Sequence, residues 1–371
     1  MAARGAGGRG ALFAGVMSGT SLDGADAALV DFSSPRPRTL AFATVSFEAE
    51  LRRTLFALSH PGGDGLDLAG AACVELSGIY ARAVIEAIAA AGKAPADVAA
   101  IGCHGQTVRH RPERGFTIQL NDPARVAELT GIDVAADFRS RDIAAGGQGA
   151  PLAPAFHEAV FREHGRSRAV VNIGGISNIT WLPASGQTTG FDCGPGNVLM
   201  DAWIQQHQGV AYDLDGRWAA SGKSDDALLG RLLQDPFFDR QPPKSTGREL
   251  FGAGWLQQKL GGPLPSADVQ ATLAELTARA IVSALDRFCP GTDEIFLAGG
   301  GARNAFLVSR LRALARGRPV ALTDELGVPT GQVEAVAFAW LAMKCVRREP
   351  VDLSAVTGAR GPRVLGGLYP A

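Results

Sequence analysis

Several features that assign a chain to a familiar class are scarce or missing here. Five cysteines occur among 371 residues with no C-x-x-C pair, which argues against a zinc site or a disulfide framework. Lys+Arg 36 nearly balance Asp+Glu 37, so the net charge of -1 provides no basic field for nucleic acid or an anionic membrane. No apolar run reaches the roughly 20 residues of a membrane helix. No G-x-x-x-x-G-K-[ST] phosphate loop occurs either.

The composition that remains is that of a globular protein. The chain is 46 % hydrophobic and 20 % charged, and its length is typical of two domains. An odd number of cysteines and the lack of a secretory signal predict a cytoplasmic location. Residues 1–10 are Gly/Ala/Arg-rich and are predicted to form a flexible tail. The 47 glycines gather at strand junctions, which favours phosphate-binding turns over linkers.

One carboxylate stands in the glycine-rich stretch 190–197. A β-prone run ends at Phe191, and a helical pattern begins near Val198. Asp192 is therefore predicted at the carboxyl end of a strand, where α/β folds place their ligands. The alternative is that Asp192 caps the following helix.

Two glycine-rich hairpins repeat one layout. Residues 17–24 join two predicted strands, and residues 172–178 join two others. The backbone N–H groups of such tips can form an anion-binding nest, although ordinary turns have the same composition. The repeat indicates an internal duplication. A third glycine site, residues 299–301, lies between a strand and a helix, where a nucleotide can approach the backbone.

Other polar positions have two interpretations each. His104 and Gln106 follow a buried-strand pattern and suit sugar hydroxyls, or His104 is a satisfied structural histidine. Arg139 clamps a carboxylate or phosphate, or belongs to a solvated interdomain loop. Residues 236–249 form a lid or, as we favour, a plain surface loop. Glu334 complements a helix dipole or faces a ligand.

Five motifs occur together and in order: residues 15–24, 103–107, 172–178, 190–197 and 297–304. With them the chain resembles the anhydro-N-acetylmuramic acid kinases of the sugar kinase, Hsp70 and actin superfamily. The resemblance covers nearly the whole chain. It implies an α/β fold of two RNase H-like (actin-like ATPase) domains with an interdomain nucleotide cleft.

The predicted domains are an N-terminal lobe of residues 11–142 plus 350–371 and a C-terminal lobe of residues 143–349. The implied enzyme uses ATP and Mg²⁺ to open the 1,6-anhydro ring of 1,6-anhydro-N-acetylmuramic acid with water and to phosphorylate O6. Its role is the recycling of murein sugars. A homodimer is expected, with no nucleic-acid or membrane partner. The alternatives are another hexose or polyol kinase and a non-catalytic ATP-dependent sugar sensor.

The resemblance also implies site residues. Asp192 is the general base that activates water, and Glu334 is a second acidic candidate. A Thr is expected after the catalytic Asp, but this chain has Cys193. No metal ligand is assigned beyond the candidate Asp23. The residues implied for ATP are Gly19, Thr20, Ser21, Leu22, Asp23, Gly24, Ala25, Asp26, Gly174, Gly175, Gly299, Gly300, Gly301 and Asn304, and those for the sugar are Ser18, His104, Gln106, Asn121, Arg139 and Asp192.

Overall fold

The described residues form three β-sheets, of six, five and two strands, and the chain divides into two units that each contain one of the larger sheets. The computed structural model describes residues 11–19, 22–60, 65–247 and 249–371. Unit 1 comprises Met1–Phe156 and Gln332–Ala371, and unit 2 comprises His157–Gly331. Unit 2 is thus one continuous segment, whereas unit 1 is assembled from both ends of the chain.

The strands are numbered in chain order. They are β1 Leu12–Met17, β2 Gly24–Asp31, β3 Arg38–Ser46, β4 Ile101–Cys103, β5 Gln106–Arg111, β6 Phe116–Leu120, β7 Val134–Ala136, β8 Arg168–Ile173, β9 Ile176–Leu182, β10 Thr189–Pro195, β11 Glu294–Ala298, β12 Val320–Leu322 and β13 Gly367–Tyr369.

The helices are numbered in the same way. They are α1 Ala49–Leu58, α2 Leu66–Ala90, α3 Pro123–Thr130, α4 Ser140–Ala144, α5 Ala153–Phe161, α6 Val198–Gln208, α7 Arg217–Ser221, α8 Asp226–Leu233, α9 Ala253–Leu260, α10 Ser266–Phe288, α11 Ala305–Leu314, α12 Val333–Val346 and α13 Ser354–Thr357.

The sheet of unit 1 has the order β13-β7-β4-β1-β2-β3. Strands β1, β2 and β3 are antiparallel neighbours, while β4 runs parallel to β1 and β7 parallel to β4. Ala14 and Val16 of β1 enter a core that also contains Leu76 of α2. Because strand side chains alternate between faces, Gly15 turns the other way, towards α12. A Cβ on Gly15 would collide with the carbonyl of Ala335, so glycine lets the helix lie directly on the sheet.

Helix α2 is both long and apolar. The sequence was expected to hold no membrane-length apolar run, but α2 has 25 residues with a mean hydropathy of 1.4 in its most apolar window. Its side chains Leu76, Tyr80 and Val84 are fully buried in the core of unit 1. Core helices of globular proteins pass the same length-and-composition test, so this is weak evidence of membrane insertion.

The sheet of unit 2 has the order β10-β9-β8-β11-β12. Strands β8, β9 and β10 are antiparallel neighbours, and β11 runs parallel to both β8 and β12. In each of these two sheets, the strand that comes first in the chain lies inside the sheet. The second and third strands of the sheet follow on one side of it, and the fourth and fifth on the other side. This shared order confirms the predicted α/β class, the two RNase H-like units and their repeated hairpins.

The boundaries between the units differ from those predicted. They fall after Phe156 and Gly331, not after residues 142 and 349. Helix α12 packs on β1, β2 and β4, which places it in unit 1. The segment after Arg139 forms α4, and its buried Asp142 accepts hydrogen bonds from Thr357 Oγ1 (2.9 Å) and Gly149 N–H (2.7 Å). The alternative of a solvated interdomain loop at this position is therefore wrong.

Candidate active site

Asp192 lies where β10 departs from regular pairing. It is paired with Asn178 of β9, and the register shifts between Asp192 and Gly194. Such a bulge re-aims the side chains beside it. Helix α6 begins at Val198 with Asn197 at its N-cap, so the alternative that Asp192 caps this helix is wrong.

A distant segment holds Asp192 in place. The N–H of Asp192 donates to the carbonyl of Lys244 (3.0 Å), and the N–H of Thr246 donates to Asp192 Oδ2 (2.9 Å). Only 8 % of Lys244 is exposed, so the prediction of a plain surface loop is wrong here. Neither Lys244 nor Thr246 is predicted from the sequence to contact Asp192, since the Lys-Ser-Thr-Gly run after two prolines does not show which distant residue it meets.

The environment of Asp192 makes its carboxyl group less acidic than usual. Burial raises the pKa of Asp192 to about 6, and the negative charge of Glu249 acts in the same direction. The Thr246 N–H and the Lys244 ammonium oppose this increase. A carboxylate with this pKa is mostly ionised at neutral pH and is a stronger base than an exposed aspartate, as proton abstraction requires.

Cys193 turns away from the carboxylate into the core of unit 2. Its thiol is 1 % exposed and donates to the carbonyl of Ser177 (3.2 Å). Burial, with the negative charge of Asp192, raises the pKa of this thiol well above its usual range. The thiol therefore serves as a packing group and a hydrogen-bond donor.

Three glycine-containing segments meet in unit 2. The N–H of Asn197 donates to the carbonyl of Gly174 (2.8 Å), and the N–H of Gly196 donates to that of Gly175 (2.9 Å). Gly299 has a φ of 81°, and a Cβ there would collide with Asn172 Oδ1. The only atom near a Cβ added to Gly300 is Asn197 Nδ2, 4.0 Å away. The structure thus brings the predicted nucleotide glycines of this unit together around Asn197.

Asn304 has a structural task at the same turn. Its Oδ1 accepts from the N–H of Leu307 (3.0 Å) and so caps α11. This contact is sufficient to account for an Asn at the start of the helix. A nucleotide contact by Asn304 remains a prediction.

The hairpin tip of unit 1 is described in part. Thr20 and Ser21 lie outside the described residues. The N–H of Leu22 donates to the carbonyl of Gly19 (3.3 Å), and Leu22 has a φ of 58°. Asp23 follows on the exposed side of the turn.

The turn ends earlier than the predicted phosphate loop. Gly24, Ala25 and Asp26 belong to β2, where they pair with β3. Ala25 is fully buried, which leaves its side chain no access to a ligand. Asp26 Oδ1 accepts from Thr44 Oγ1 (2.6 Å). A phosphate-binding loop in unit 1 is therefore confined to residues before Gly24, with Asp26 beside it.

The predicted sugar residues of unit 1 form one polar cluster. Arg139 donates to His104 Nε2 through Nε (3.1 Å) and Nη2 (2.9 Å), and Asn121 Nδ2 donates to the His104 carbonyl (3.4 Å). Ser18 Oγ contacts Tyr80 Oη (2.7 Å) and donates weakly to the Gly105 carbonyl (3.4 Å). Three of the five predicted residues, Arg139, His104 and Asn121, are thus linked, and Ser18 contacts Gly105 next to His104.

This cluster has unused polar atoms. Burial and the charge of Arg139 keep the pKa of His104 well below its usual range, so its ring is neutral. In the described part of the chain, neither His104 Nδ1 nor Gln106 Oε1 has a hydrogen-bond partner. Of the two ring nitrogens of His104, only Nε2 has a partner among the described residues, so the alternative of a fully satisfied structural histidine does not apply to Nδ1. Buried polar atoms without partners suit a ligand rich in hydroxyl groups.

Glu334 lies in the first turn of α12 and is solvent-accessible. Loss of hydration among the surrounding protein atoms raises the pKa of its carboxyl group. The negative charge of Asp26 acts in the same direction, and the positive charge of Arg139 opposes both. Burial lowers the pKa of Arg139 to about 10, against the charges of Glu334 and Asp142. Unit 1 therefore places Glu334 within electrostatic reach of both Asp26 and Arg139.

A family model described as anhydro-N-acetylmuramic acid kinase matches residues 11–371. The chain belongs to the anhydro-N-acetylmuramic acid kinase family. Membership confirms that the chain is an ATP-dependent sugar kinase whose activity is ring opening and phosphorylation of anhydro-N-acetylmuramic acid in cell-wall recycling. Neither another hexose kinase nor a non-catalytic sensor is favoured.

Curated relatives carry the same family name. The anhydro-N-acetylmuramic acid kinase of Bordetella parapertussis is 54 % identical over 98 % of this chain and 97 % of the relative. That of Nitrosospira multiformis is 52 % identical over 97 % and 99 %. Among solved structures, an activator of 2-hydroxyisocaproyl-CoA dehydratase from Clostridium difficile with bound ADPNP matches 91 % of this chain and 96 % of its own, with a TM-score of 0.48 and 11 % identity. This last similarity is too distant to carry function across.

Proposed function

We propose that Asp192 is the general base of this anhydro-N-acetylmuramic acid kinase. The observation that carries the proposal is a half-buried carboxylate, fixed by the Thr246 N–H, whose pKa of about 6 suits a base at neutral pH. The anhydro sugar has no free O6 hydroxyl. The proton that must be removed is therefore one of water.

The proposed reaction balances as follows. Water loses a proton to Asp192, and its oxygen forms a bond to the anomeric carbon. The bond between that carbon and the bridging oxygen breaks, and its electron pair stays on the bridging oxygen as O6. O6 forms a bond to the γ-phosphorus of ATP, and ADP leaves. Because no covalent enzyme intermediate is needed, the protein acts by positioning and by charge stabilisation.

We assign sugar binding to the polar cluster of unit 1. The unpartnered atoms of His104 and Gln106 are available to sugar hydroxyls, and Ser18 and Asn121 flank them. Arg139 orients His104 and supplies positive charge for a carboxylate such as the lactyl group of the substrate. Glu334 is a second acidic group that contributes to catalysis beside Arg139.

We assign nucleotide binding to the glycine turns of each unit. In unit 2 these are Gly174, Gly175 and the turn 299–301, with Asn304 at its end. In unit 1 the segment is 19–23, in which Thr20 and Ser21 supply hydroxyl donors, and Asp26 stands beside it in β2. Backbone N–H groups at glycine turns favour anions.

Mg²⁺ is the proposed metal. Among the described residues, no group of three His, Cys, Asp or Glu side chains is placed to hold a metal ion. This fits Mg²⁺ in kinases, which takes one or two carboxylates and otherwise phosphate oxygens and water. The exposed carboxylate of Asp23 is a suitable donor of this kind. The ion supplies neutralisation of phosphate charge.

A cytoplasmic homodimer without nucleic-acid or membrane partners is also proposed. The cysteines Cys73, Cys103, Cys193, Cys289 and Cys345 are all free thiols, which supports a reducing compartment. The net charge of -1 gives no general attraction to polyanions.

Isotope labelling tests the proposed chemistry. The enzyme is incubated with ATP, Mg²⁺ and 1,6-anhydro-N-acetylmuramic acid in H₂¹⁸O, and the product is reduced at once with borohydride to fix the anomeric oxygen. We expect one ¹⁸O at C1 and none in the phosphate ester. Label at O6 or in the phosphoryl group would contradict attack of water at the anomeric carbon.

A further inference from the structure

Lys244 is a buried ammonium group that the proposed reaction does not use. Its Nζ donates to the carbonyls of Phe237 and Phe238, both at 3.3 Å. It also lies over two aromatic rings, 4.8 Å from the centroid of Phe237 and 5.0 Å from that of Phe288. Carbonyl oxygens and aromatic faces attract a cation, so these contacts fix both the side chain and its charge.

The charge of Lys244 has no close counter-ion. Within residues 11–19, 22–60, 65–247 and 249–371, no carboxylate oxygen lies within 4.0 Å of its Nζ. Burying an ammonium group without a paired anion costs free energy, whereas a methionine would fill the same place without that cost. Burial lowers the pKa of Lys244, as expected. An unpaired charge beside a catalytic group indicates a functional role.

The backbone at Lys244 touches Asp192 directly. Its carbonyl accepts the Asp192 N–H (3.0 Å), and Thr246, two residues later, donates its N–H to the Asp192 carboxylate (2.9 Å). Both contacts require the segment that contains Lys244 and Thr246 to lie at this position along β10. The side chain of Lys244 attaches this same segment to the carbonyls of Phe237 and Phe238.

We propose that Lys244 is a positioning residue for Asp192: it holds the Thr246 N–H against the carboxylate and places nearby a positive charge that favours the ionised carboxylate. The proposal rests on the proposed role of Asp192 as base. Lys244 acts through Asp192 and makes no contact with substrate.

The surrounding charges are consistent with this role. Asp192 is influenced by the Thr246 N–H, Glu249 and Lys244, and of these Glu249 alone raises its pKa. Lys244 is itself influenced by Cys193, Arg287, Asp239 and Arg240. Asp239 is paired with Arg287 (2.7 Å), and its charge raises the pKa of Lys244 while those of Arg287 and Arg240 lower it. Lys244 is therefore the side-chain cation that acts on Asp192.

Three substitutions separate charge from anchoring. Lys244→Met removes both, Lys244→Gln keeps a donor for the two carbonyls without the charge, and Lys244→Arg keeps the charge. Lys244 borders a cavity of about 560 Å³, which leaves room for a guanidinium group. Lys259→Met is the matched control, since Lys259 lies over the ring of Trp255 (5.9 Å) in the same unit, away from Asp192.

Two readouts apply to each variant. The first is the titration of the Asp192 carboxyl by ¹³C NMR, identified by its absence in Asp192→Asn, and the second is the pH profile of kcat. In Lys244→Met we expect the Asp192 titration and the acid limb of kcat to move to higher pH. We also expect the plateau of kcat to fall roughly 10- to 100-fold, the cost of a misplaced catalytic group.

Lys244→Gln is expected to move the titration in the same direction with a smaller loss of kcat. Lys244→Arg should keep the titration near that of the wild type, and Lys259→Met should change neither readout. If Lys244→Met does not fold, Lys244→Gln carries the test. Neutral variants that fold and leave the Asp192 titration and kcat unchanged would overturn the inference.

The two proposals fail in different ways. If Asp192→Asn keeps wild-type turnover, the proposed base is wrong, whatever Lys244 does. If Asp192→Asn is inactive and the neutral Lys244 variants behave like the wild type, the inference about Lys244 alone is wrong.

Discussion

The two sheets share a strand order but differ at the end of the third strand. In unit 1 the carboxylate near the hairpin tip is that of Asp26, on the second strand. Asp26 pairs with Thr44 of β3 and accepts a hydrogen bond from its hydroxyl group (2.6 Å). In unit 2 the carboxylate is on the third strand, where Asp192 pairs with Asn178 of β9. The register shift of β2 and β3 lies between Leu29 and Val30, whereas that of β10 lies between Asp192 and Gly194, directly after the carboxylate.

This difference shows how one framework provides two kinds of site. In unit 1 the strands stay regular near the tip, and the polar groups come from the segments around His104 and Arg139. In unit 2 a bulge directs one side chain out of the ladder, and a distant loop supplies its partners. The first arrangement suits ligand binding by many weak contacts, and the second suits a single group that moves a proton.

Removing the carboxylate of unit 2 should have the largest effect. Asp192→Asn keeps an oxygen that accepts from the Thr246 N–H but cannot take a proton at neutral pH. We expect kcat to fall roughly 10²- to 10⁴-fold, the size of general-base catalysis, with ATP affinity unchanged by calorimetry. The control Asp226→Asn changes an exposed carboxylate of α8 and should be neutral. Near-wild-type turnover of Asp192→Asn would contradict the role of Asp192 as the base, and with it the proposed difference in function between the two units.

A substitution in the polar cluster of unit 1 should weaken the binding of the sugar. Arg139→Met removes both hydrogen bonds to His104 and leaves buried polar atoms unpaired. We expect kcat/KM for the anhydro sugar to fall roughly 10- to 100-fold, with the KM for ATP unchanged. Arg125→Met, at an exposed arginine paired with Asp122, is the control. An effect on the ATP KM alone would show that this cluster is not a sugar site.

The pH profile tests the environment of Asp192. The base must be ionised, so activity is present above its pKa of about 6 and is lost as pH falls through that value. Between pH 7 and pH 5 we expect roughly a tenfold loss of kcat, since one pH unit below the pKa protonates most of the carboxylate. An acid limb centred near pH 4 would mean that burial does not raise this pKa.

Close packing of α12 on unit 1 predicts an effect on stability. A Cβ on Gly102 of β4 would collide with the carbonyl of Phe338, so Gly102→Ala should lower the free energy of unfolding by about 1–3 kcal/mol. Gly78→Ala is the matched control, because a Cβ there has no neighbour within 4 Å and the site is inside α2. In urea denaturation Gly78→Ala should be neutral or stabilising. Equal destabilisation by both would contradict the close-packing explanation.

The smallest change is expected at Cys193. In Cys193→Thr the hydroxyl can replace the thiol as donor to the Ser177 carbonyl without facing the carboxylate of Asp192. We expect kcat within about twofold of the wild type, since Cys193 borders a cavity of about 560 Å³ that leaves room for the added methyl group. Loss of activity in a folded Cys193→Thr would show that this side chain matters to the geometry of Asp192.

Long apolar patterns made much of the fold predictable. Buried runs and helical periodicity are local signals, and they predict a strand over residues 168–173 and helices over 266–288 and 333–346, which are the bounds of β8, α10 and α12. Strand β5 was not predicted, since its Gln-Thr-Val-Arg-His-Arg sequence is mostly polar. Helices α7 to α9 were also missed, and they are short.

The site was predictable only where local sequence carries it. Asp192 comes at the end of a β-prone run and precedes glycines, so its place near the end of a strand could be predicted from eight residues, although β10 continues to Pro195. The contacts of Lys244 and Thr246 with Asp192 join segments far apart in sequence, and burial of a lysine in a Pro-rich loop has no local signal. The assignment of α12 to unit 1 depends in the same way on packing against β1.

The interrupted course of unit 1 has a consequence for biosynthesis. Its sheet needs α12 and β13, which leave the ribosome after the whole of residues 157–331. Unit 2 is complete as soon as its own segment has emerged. Because domains fold as units during synthesis, unit 2 should reach its native state first, while the first 156 residues wait for the last 40. Stalled chains that end before residue 332 should therefore contain a protease-resistant fragment of unit 2 beside a sensitive N-terminal region.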